Sequence, residues 1–430
     1  MQNRLRAEAA AVLADNWLGA STVPSRRLYP HQWNWDSALI AFGLRHVDVG
    51  RARQEISTLL AAQWANGMVP HIIFDAATAH GDYHPNAGFW NSRGAPGAPA
   101  AETSGITQPP VAAPAALAVH RHTADLDWLR EIYPKLVAYQ RFLTEHRNVG
   151  GHGLVSIVHP WESLDNSPAW DAALAAVTVP ADLEGYTRHD LKHAPAADRP
   201  TADEYDRYVH LVALRRAAGY GGDGLAEHPF LVEDPLTNAI TVWAAQSLAE
   251  IATLLDEDPA PHRATAARVR EAMLAHMWDP AANLFRARDA RTATPVAADT
   301  VAGFMPLLDP ELPDDIVDGL VQSLCHKRFW PSDGFPIASQ AMDSPGFDAS
   351  RYWRGPAWVN TNWLIWTGLR AHGRHALAAE LAAATLDMVR RGGWREHFSP
   401  LTGEGHGATN FSWTAALTID LLDGLDGLDG

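Results

Sequence analysis

The sequence predicts an all-α fold in which hairpins of helices close into a toroid, and three observations carry that expectation. Apolar residues recur at spacings of three and four along most of the chain, as at Leu248, Ile251 and Leu255, the signature of helices with one buried face. Period-2 alternation is nowhere sustained; only "HIIFD" and "AVTVPADL" have the look of short strands. Connections of two contrasting kinds alternate through to the C-terminus without a Gly/Ser linker, so a single domain over residues 1–430 is expected.

Taken in order, the periodicity places helices near 2–17, 50–66, 109–121, 126–147, 204–218, 236–256, 263–277, 313–327, 359–372, 374–391 and 411–423, about a dozen in all. Some connections, such as "EDPAPH" and "LDPELPDD", are short turns. The others, 24–36, 74–108, 148–203, 328–358 and 392–410, are rich in Trp, His, Asp, Asn, Gly and Pro. Loops beyond ~15 residues in a compact domain are usually functional or disordered, and tryptophan-rich ones are poor candidates for disorder. The pattern therefore predicts short turns on one face and working loops on the other, with insertions around 74–108 and 148–203. The tail "LLDGLDGLDG" reads as a fraying helix end, since it lacks the ligand spacing of an EF-hand.

Composition narrows the function. Hydrophobic residues make up 47% and charged residues 20%, enough apolar content to build a large core. With 34 basic and 50 acidic residues the net charge is −16, which argues against nucleic-acid and anionic-membrane partners. A single cysteine, Cys325, excludes an intramolecular disulfide and a cysteine zinc cluster. There is no apolar run near membrane-spanning length, and "MQNRLRAEAAAVLADNWLG" is no secretory signal. A cytoplasmic protein is expected, its oligomeric state left open. Tryptophan is the outlier: the 17 residues cluster with His, Asp, Asn and Pro rather than along apolar faces.

Five such clusters share one chemistry: "LYPHQWNWDSALIAFG" (28–43), "QWANGMVPHIIF" (63–74), "HPWESLDNSPAWD" (159–171), "YWRGPAWVNTNWLIWTGL" (352–369) and "REHFSPLTGEGHGATNFSWTAAL" (395–417). Each puts aromatic rings beside hydroxyl-bonding groups at a helix boundary. Indole faces suit the apolar faces of sugars, and Asp, Asn, Gln and His suit their hydroxyls. Glycoside hydrolysis adds a need for two carboxyls on opposite sides of the scissile bond, one kept protonated by an apolar setting. Asp165, with Trp161 and Trp170 nearby, fits the protonated role, with Glu162 and Asp171 as local competitors. Its partner should come from a distant segment, where Glu396 and Glu404 both qualify and residue chemistry alone does not separate them.

These segments, in this order, resemble glycoside hydrolase family 63, and most of all its short bacterial enzymes that hydrolyse mannosylglycerate and glucosylglycerate. The resemblance spans roughly residues 28 to 417 and implies an (α/α)6 barrel and an inverting α-glycosidase. It implies that Asp165 of "ESLDNS" is the general acid and that Glu396, rather than Glu404, is the general base. Asp36 would bind sugar hydroxyls beside Tyr29, Trp33 and Trp35, with Tyr352, Trp353 and Trp358 as an aromatic wall. Arg199 and Tyr205 match positions that grip glycerate, and Tyr83 and Gln108 look like further members of that pocket. Trp161, Glu162 and Glu404 are kept as substrate-binding candidates. Asp171 is expected to be structural, Trp358 and Trp413 have core packing as an alternative role, and Arg354 has a loop-holding salt bridge. Leu164 departs from a glycine common at that position in the family.

The expected ligand is thus a small glycoside with a carboxylate on its aglycone, cleaved without a cofactor. No Walker A, GxGxxG, HExxH or GxSxG motif occurs. His31, His71, His84 and His159 all lie in or beside the aromatic, sugar-binding stretches, so hydroxyl bonding or packing is expected and no metal site is assigned. The rival readings are an α-glucosidase of a neutral disaccharide, an epimerase on the same barrel, and a non-catalytic sugar-binding protein.

Overall fold

The computed structural model describes residues 2–426 except 79, 80, 82, 193 and 223. The end of the "LLDGLDGLDG" tail, residues 427–430, lies outside the described residues. In chain order the α-helices are α1 (Gln2–Asp15), α2 (Asn34–Leu44), α3 (Val49–Ala61), the single turn α4 (Ala87–Trp90), α5 (Ala112–Thr123), α6 (Leu126–Arg141), the short α7 (Asp171–Ala175) and α8 (Ala202–Ala217). They continue with α9 (Pro235–Leu254), α10 (Ala260–His276), α11 (Asp314–Leu324), α12 (Val359–Ala371), α13 (His375–Gly392) and α14 (Ser412–Asp426). A 3-10 helix, Val301–Leu308, precedes α11.

Six of these elements form a closed inner ring: α2 packs on α5, α5 on α9, α9 on the 3-10 helix, that helix on α12, α12 on α14, and α14 back on α2. Six more lie outside it. α3 backs α2, α6 and α10 back α9, α11 backs the 3-10 helix, α13 backs α12, and α1 backs α14. This is the (α/α)6 barrel. Burial sorts the two rings: every residue of α2 and of Val301–Leu308 is buried, whereas α3 and α13 bury one stripe each. A helix buried all round has no amphipathic period, which is why the periodicity missed those two inner elements and left α2 partly within a loop.

Inner helices all start on one face. The rear connections, 45–48, 124–125, 255–259, 309–313 and 372–374, are short, and the long connections lead into the starts of inner helices. Side-chain caps fix several starts: Asp48, Asp125 and Asp234 accept backbone N–H groups of α3, α6 and α9. Thr201 and Glu204 form a reciprocal capping box at α8, which sits outside the two rings on the longest excursion. Strands are brief. Gln32–Trp33 pairs antiparallel with Ile72–Ile73, so "HIIFD" does hold a strand, while "AVTVPADL" holds none. A hairpin of Arg395–Phe398 and Gly405–Thr409 precedes α14.

Candidate active site

Where the inner helices begin, the long loops enclose two adjoining lobes that share part of their wall. The inner lobe is a chamber of about 360 Å³, and the outer lobe is about 580 Å³; Tyr29, Trp33, Asp165 and Tyr352 border both.

The inner lobe is built from the starts of α2, α12 and α14. The strand pairing at Gln32–Trp33 delivers Trp33, Trp35 and Asp36 to its wall, where the Trp35 N–H donates to Gln108 Oε1 at 3.3 Å. Trp353 lies flat on Trp358, ring centroids 3.7 Å apart and planes within 6°. Trp353 holds its ring there with a backbone φ of +58°, a conformation that bulky residues rarely adopt. Glu396, on the first hairpin strand, accepts from Tyr29 Oη and Tyr352 Oη, both at 2.8 Å to Oε1, and from the Ala408 N–H at 2.9 Å to Oε2. The opposite hairpin strand passes so close that a Cβ on Gly407 would sit 2.4 Å from Glu396 Oε2. With φ at +70° as well, position 407 admits only glycine without strain.

Asp165 also lines this lobe, half-buried, on the loop between Glu162 and Pro168. Burial pushes its carboxyl up to about 7, and the charge of Glu396 adds to that, while Arg199 opposes it. Asp36 is raised well above the usual carboxylate range, first by burial and then by Glu396 and Asp165. Burial likewise raises Tyr29 and Tyr352, keeping both as hydroxyl donors. Asp36 and Asp165 are raised together because burial in a low-dielectric chamber and the neighbouring carboxylate charge both disfavour their ionised forms.

The outer lobe is cationic at one point. Arg199 is buried, with both terminal nitrogens 3.3 Å from Tyr29 Oη and its guanidinium 4.5 Å from the centre of the Tyr352 ring. One nitrogen is also 3.8 Å from Glu396 Oε2. Tyr83, Tyr205 and Trp161 complete the wall. Arg188 stacks 4.3 Å from the Tyr205 ring centre and donates to Asp190 and to the Pro200 carbonyl, folding the 180–201 loop over this end.

Of the sequence candidates, Tyr29, Trp33, Trp35, Asp36, Gln108, Asp165, Tyr352, Trp353 and Glu396 meet in the inner lobe, and Tyr83, Trp161, Arg199 and Tyr205 in the outer. Four positions need correction. Gln108 lies in the inner lobe rather than beside Arg199, because its side chain reaches the start of α2. Glu162 points away from the cleft into a buried bidentate pair with Arg147 at 2.7 Å. Trp358 is the backing plate behind Trp353 and reaches neither lobe. Glu404 is exposed at the hairpin turn, on the solvent side of the strands. Asp171 pairs with Arg354, a structural tie between two long loops. Phe411 is a wall residue that the sequence did not single out, while Trp413, with core packing as its alternative, and His71, with hydroxyl bonding or packing expected, both line the cleft. Both ring nitrogens of His71 lack a hydrogen-bond partner among the described residues, and burial holds it well below the usual histidine range, so it is neutral. Its place in "VPHI" beside a sugar-type segment was the available signal.

A helical double ring with two carboxyls in the wall of one aromatic chamber defines a glycoside hydrolase of the (α/α)6 class. The model of the mannosylglycerate hydrolase MGH1-like glycoside hydrolase domain matches residues 29–414. A mannosylglycerate hydrolase from Thermus thermophilus is 42% identical, covering 96% of this chain and 99% of that protein. A glucosylglycerate hydrolase from Mycolicibacterium hassiacum is 36% identical over 97% of this chain and 98% of its own. A crystal structure of a family 63 mannosylglycerate hydrolase from Thermus thermophilus, in complex with Tris and D-glycerate, superposes with a TM-score of 0.90 at 40% identity, covering 97% and 99% of the two chains. The chain belongs to the MGH1-like glycoside hydrolases of family 63.

Proposed function

We propose that the protein hydrolyses an α-hexosyl glycerate with inversion, releasing hexose and glycerate, and that the whole chain is one catalytic domain. The observation that carries this is the wall the two lobes share: Tyr29, Trp33, Asp165 and Tyr352 border both, and one Arg199 nitrogen is 3.8 Å from Glu396 Oε2, so the carboxyl pair lies next to Arg199 and its tyrosines. A hexose fills the aromatic inner lobe, its hydroxyls bonded by Asp36 and Gln108 and its apolar face on Trp353. The glycerate carboxylate lies against Arg199, with Tyr83 and Tyr205 at its hydroxyls; a planar guanidinium is well suited to a carboxylate. Relatives named for mannosylglycerate and glucosylglycerate, one with D-glycerate bound, support the assignment.

Asp165, protonated near neutrality, gives its proton to the glycosidic oxygen as the bond breaks. Glu396, aimed by the Tyr29 and Tyr352 hydroxyls, takes a proton from water that attacks the opposite face of the anomeric carbon. Inversion needs ~6.5–9.5 Å between the two carboxyls to admit that water. The test is a panel of glucosylglycerate, mannosylglycerate and trehalose, with NMR resolving the anomer first released. The expected result is turnover of one or both glycerates with β-hexose appearing first. Turnover of trehalose alone, or α-hexose as the first product, refutes the proposal.

A further inference from the structure

Glu162 is the carboxylate in the acid loop for which the reaction has no use, yet it is the most tightly held. Its two oxygens accept from Arg147 Nη1 and Nη2, both at 2.7 Å, from the Val158 N–H at 2.7 Å and from the Thr107 N–H at 3.0 Å. Burial would raise it, but Arg147 and these hydrogen bonds outweigh burial and hold it below the usual range. The next residues are anchored in turn. Ser163 Oγ donates to Asp234 Oδ2 at 2.5 Å, the Leu164 carbonyl accepts from Trp170 Nε1 at 2.9 Å, and the Asp165 carbonyl accepts from Tyr208 Oη at 3.0 Å. On its far side the Glu162 carboxylate grips Thr107, next to Gln108 in the sugar chamber. Thr107 Oγ1 is 2.7 Å from Tyr139 Oη, which also receives Asn34 Nδ2 at 3.2 Å at the start of α2. One buried carboxylate therefore joins the loop bearing Asp165 to the segment bearing Gln108.

We propose that Glu162, with Arg147, is a positioning pair that sets the place of the Asp165 carboxyl relative to the sugar chamber. This rests on the reading of Asp165 as proton donor. A displaced donor weakens the transition state while leaving ground-state binding nearly intact, and a shift of about 1 Å can cost ~100-fold in rate. Glu162 also balances a second buried guanidinium, since Arg215 is lowered to about 10, first by burial and then by the Arg147 charge. Glu162→Gln alone leaves those cations facing each other, so it can lose stability as well as rate. Replacing both members of the pair by apolar residues of similar size avoids leaving the Arg147 guanidinium facing no anion, and reading kcat and KM below the melting range of each variant separates positioning from folding.

The experiment compares kcat, KM and Tm of Glu162→Gln, Arg147→Met/Glu162→Met and Asp165→Asn with the parent on its glycerate substrate. The expected result, read well below the melting range of each variant, is a double variant with KM within about threefold of the parent and kcat down by roughly 10–100-fold, its Tm lowered because the Val158 and Thr107 N–H groups lose their acceptor. A double variant with parental kcat overturns the proposal, whatever the single variant does. If Asp165→Asn is inactive in that case, the proton-donor reading stands and only the positioning role falls. Activity in Asp165→Asn overturns both.

Discussion

Asp165 and Glu396 differ in what surrounds them more than in what they are. Asp165 is pushed up to about 7 by burial and by Glu396, while Glu396 receives three hydrogen bonds. With Asp165 as the proposed proton donor, activity on kcat/KM should decline as pH rises through about 7, where that carboxyl loses its proton. The same shift has a stability sign. An unfolded Asp165 releases its proton near pH 4, the native one near pH 7, so between them the native state holds the extra proton and stability falls as pH rises. Asp165→Asn, which cannot ionise, should be inactive yet melt several degrees above the parent at pH 8, with the gap closing toward pH 4. Equal melting temperatures at pH 8 would contradict the burial assigned to this carboxyl. Arg199→Ala should lower kcat/KM for a hexosyl glycerate at least ~10-fold more than for an uncharged α-glucoside. Because Arg199 also lies near Glu396, both substrates will suffer, and the ratio of the two losses is the informative quantity. The acids and aromatics of the site were legible as residue types. Glu396 was legible through the family motif, but that Glu162 and Glu404 stay out of the cleft was not, since that depends on where Arg147 and the hairpin lie.

At the scale of elements, the inner ring closes because small residues sit at its seams. A Cβ on Gly43 of α2 would meet the Ala416 carbonyl of α14 at 2.2 Å, and one on Gly368 of α12 would meet the Leu307 carbonyl at 2.6 Å. Neither glycine needs an unusual φ; each is there for close approach of two backbones. Gly43→Ala should thus force α2 and α14 apart at a cost of about 1–3 kcal/mol, read as a lower Tm in thermal unfolding. An unchanged Tm would mean that the seam yields freely. Outer helices such as α6 and α11 were visible from periodicity because one stripe is buried and the rest is wet. α2 and Val301–Leu308 were not, for they are buried on every side and one contains Pro306.

Across the whole molecule, the face opposite the cleft is where the ring is fastened. Asp420 of α14 is 3% exposed and accepts from Arg45 Nη2 at 2.6 Å and Trp363 Nε1 at 2.8 Å, with His46 Nε2 2.8 Å away. It ties α14 to the end of α2 and to α12. Burial would raise its carboxyl, but His46 and Arg45 outweigh burial and lower it. Its contribution is present above the unfolded value and is lost as pH falls through the lower native value. Asp420→Asn leaves Arg45 facing a neutral amide and should cost on the order of 3 kcal/mol. Since no part of Asp420 borders either lobe, KM at 25 °C should stay at the parental value while Tm falls; a changed KM would reveal coupling between the two faces.

Periodicity and composition are local properties of a chain, and they were enough for the helical class, the alternation of short and long connections and the residue types of a sugar site. The family was legible too, through motifs whose joint order is specific. Which acids line the cleft is decided by the packing of distant segments. Glu162, three residues from Asp165, turns inward to Arg147, Glu404 stays in solvent, and Gln108 lines the inner lobe rather than the outer one beside Arg199. A carboxylate's role depends on the charges, donors and solvent around it, and segments far apart in the chain supply those.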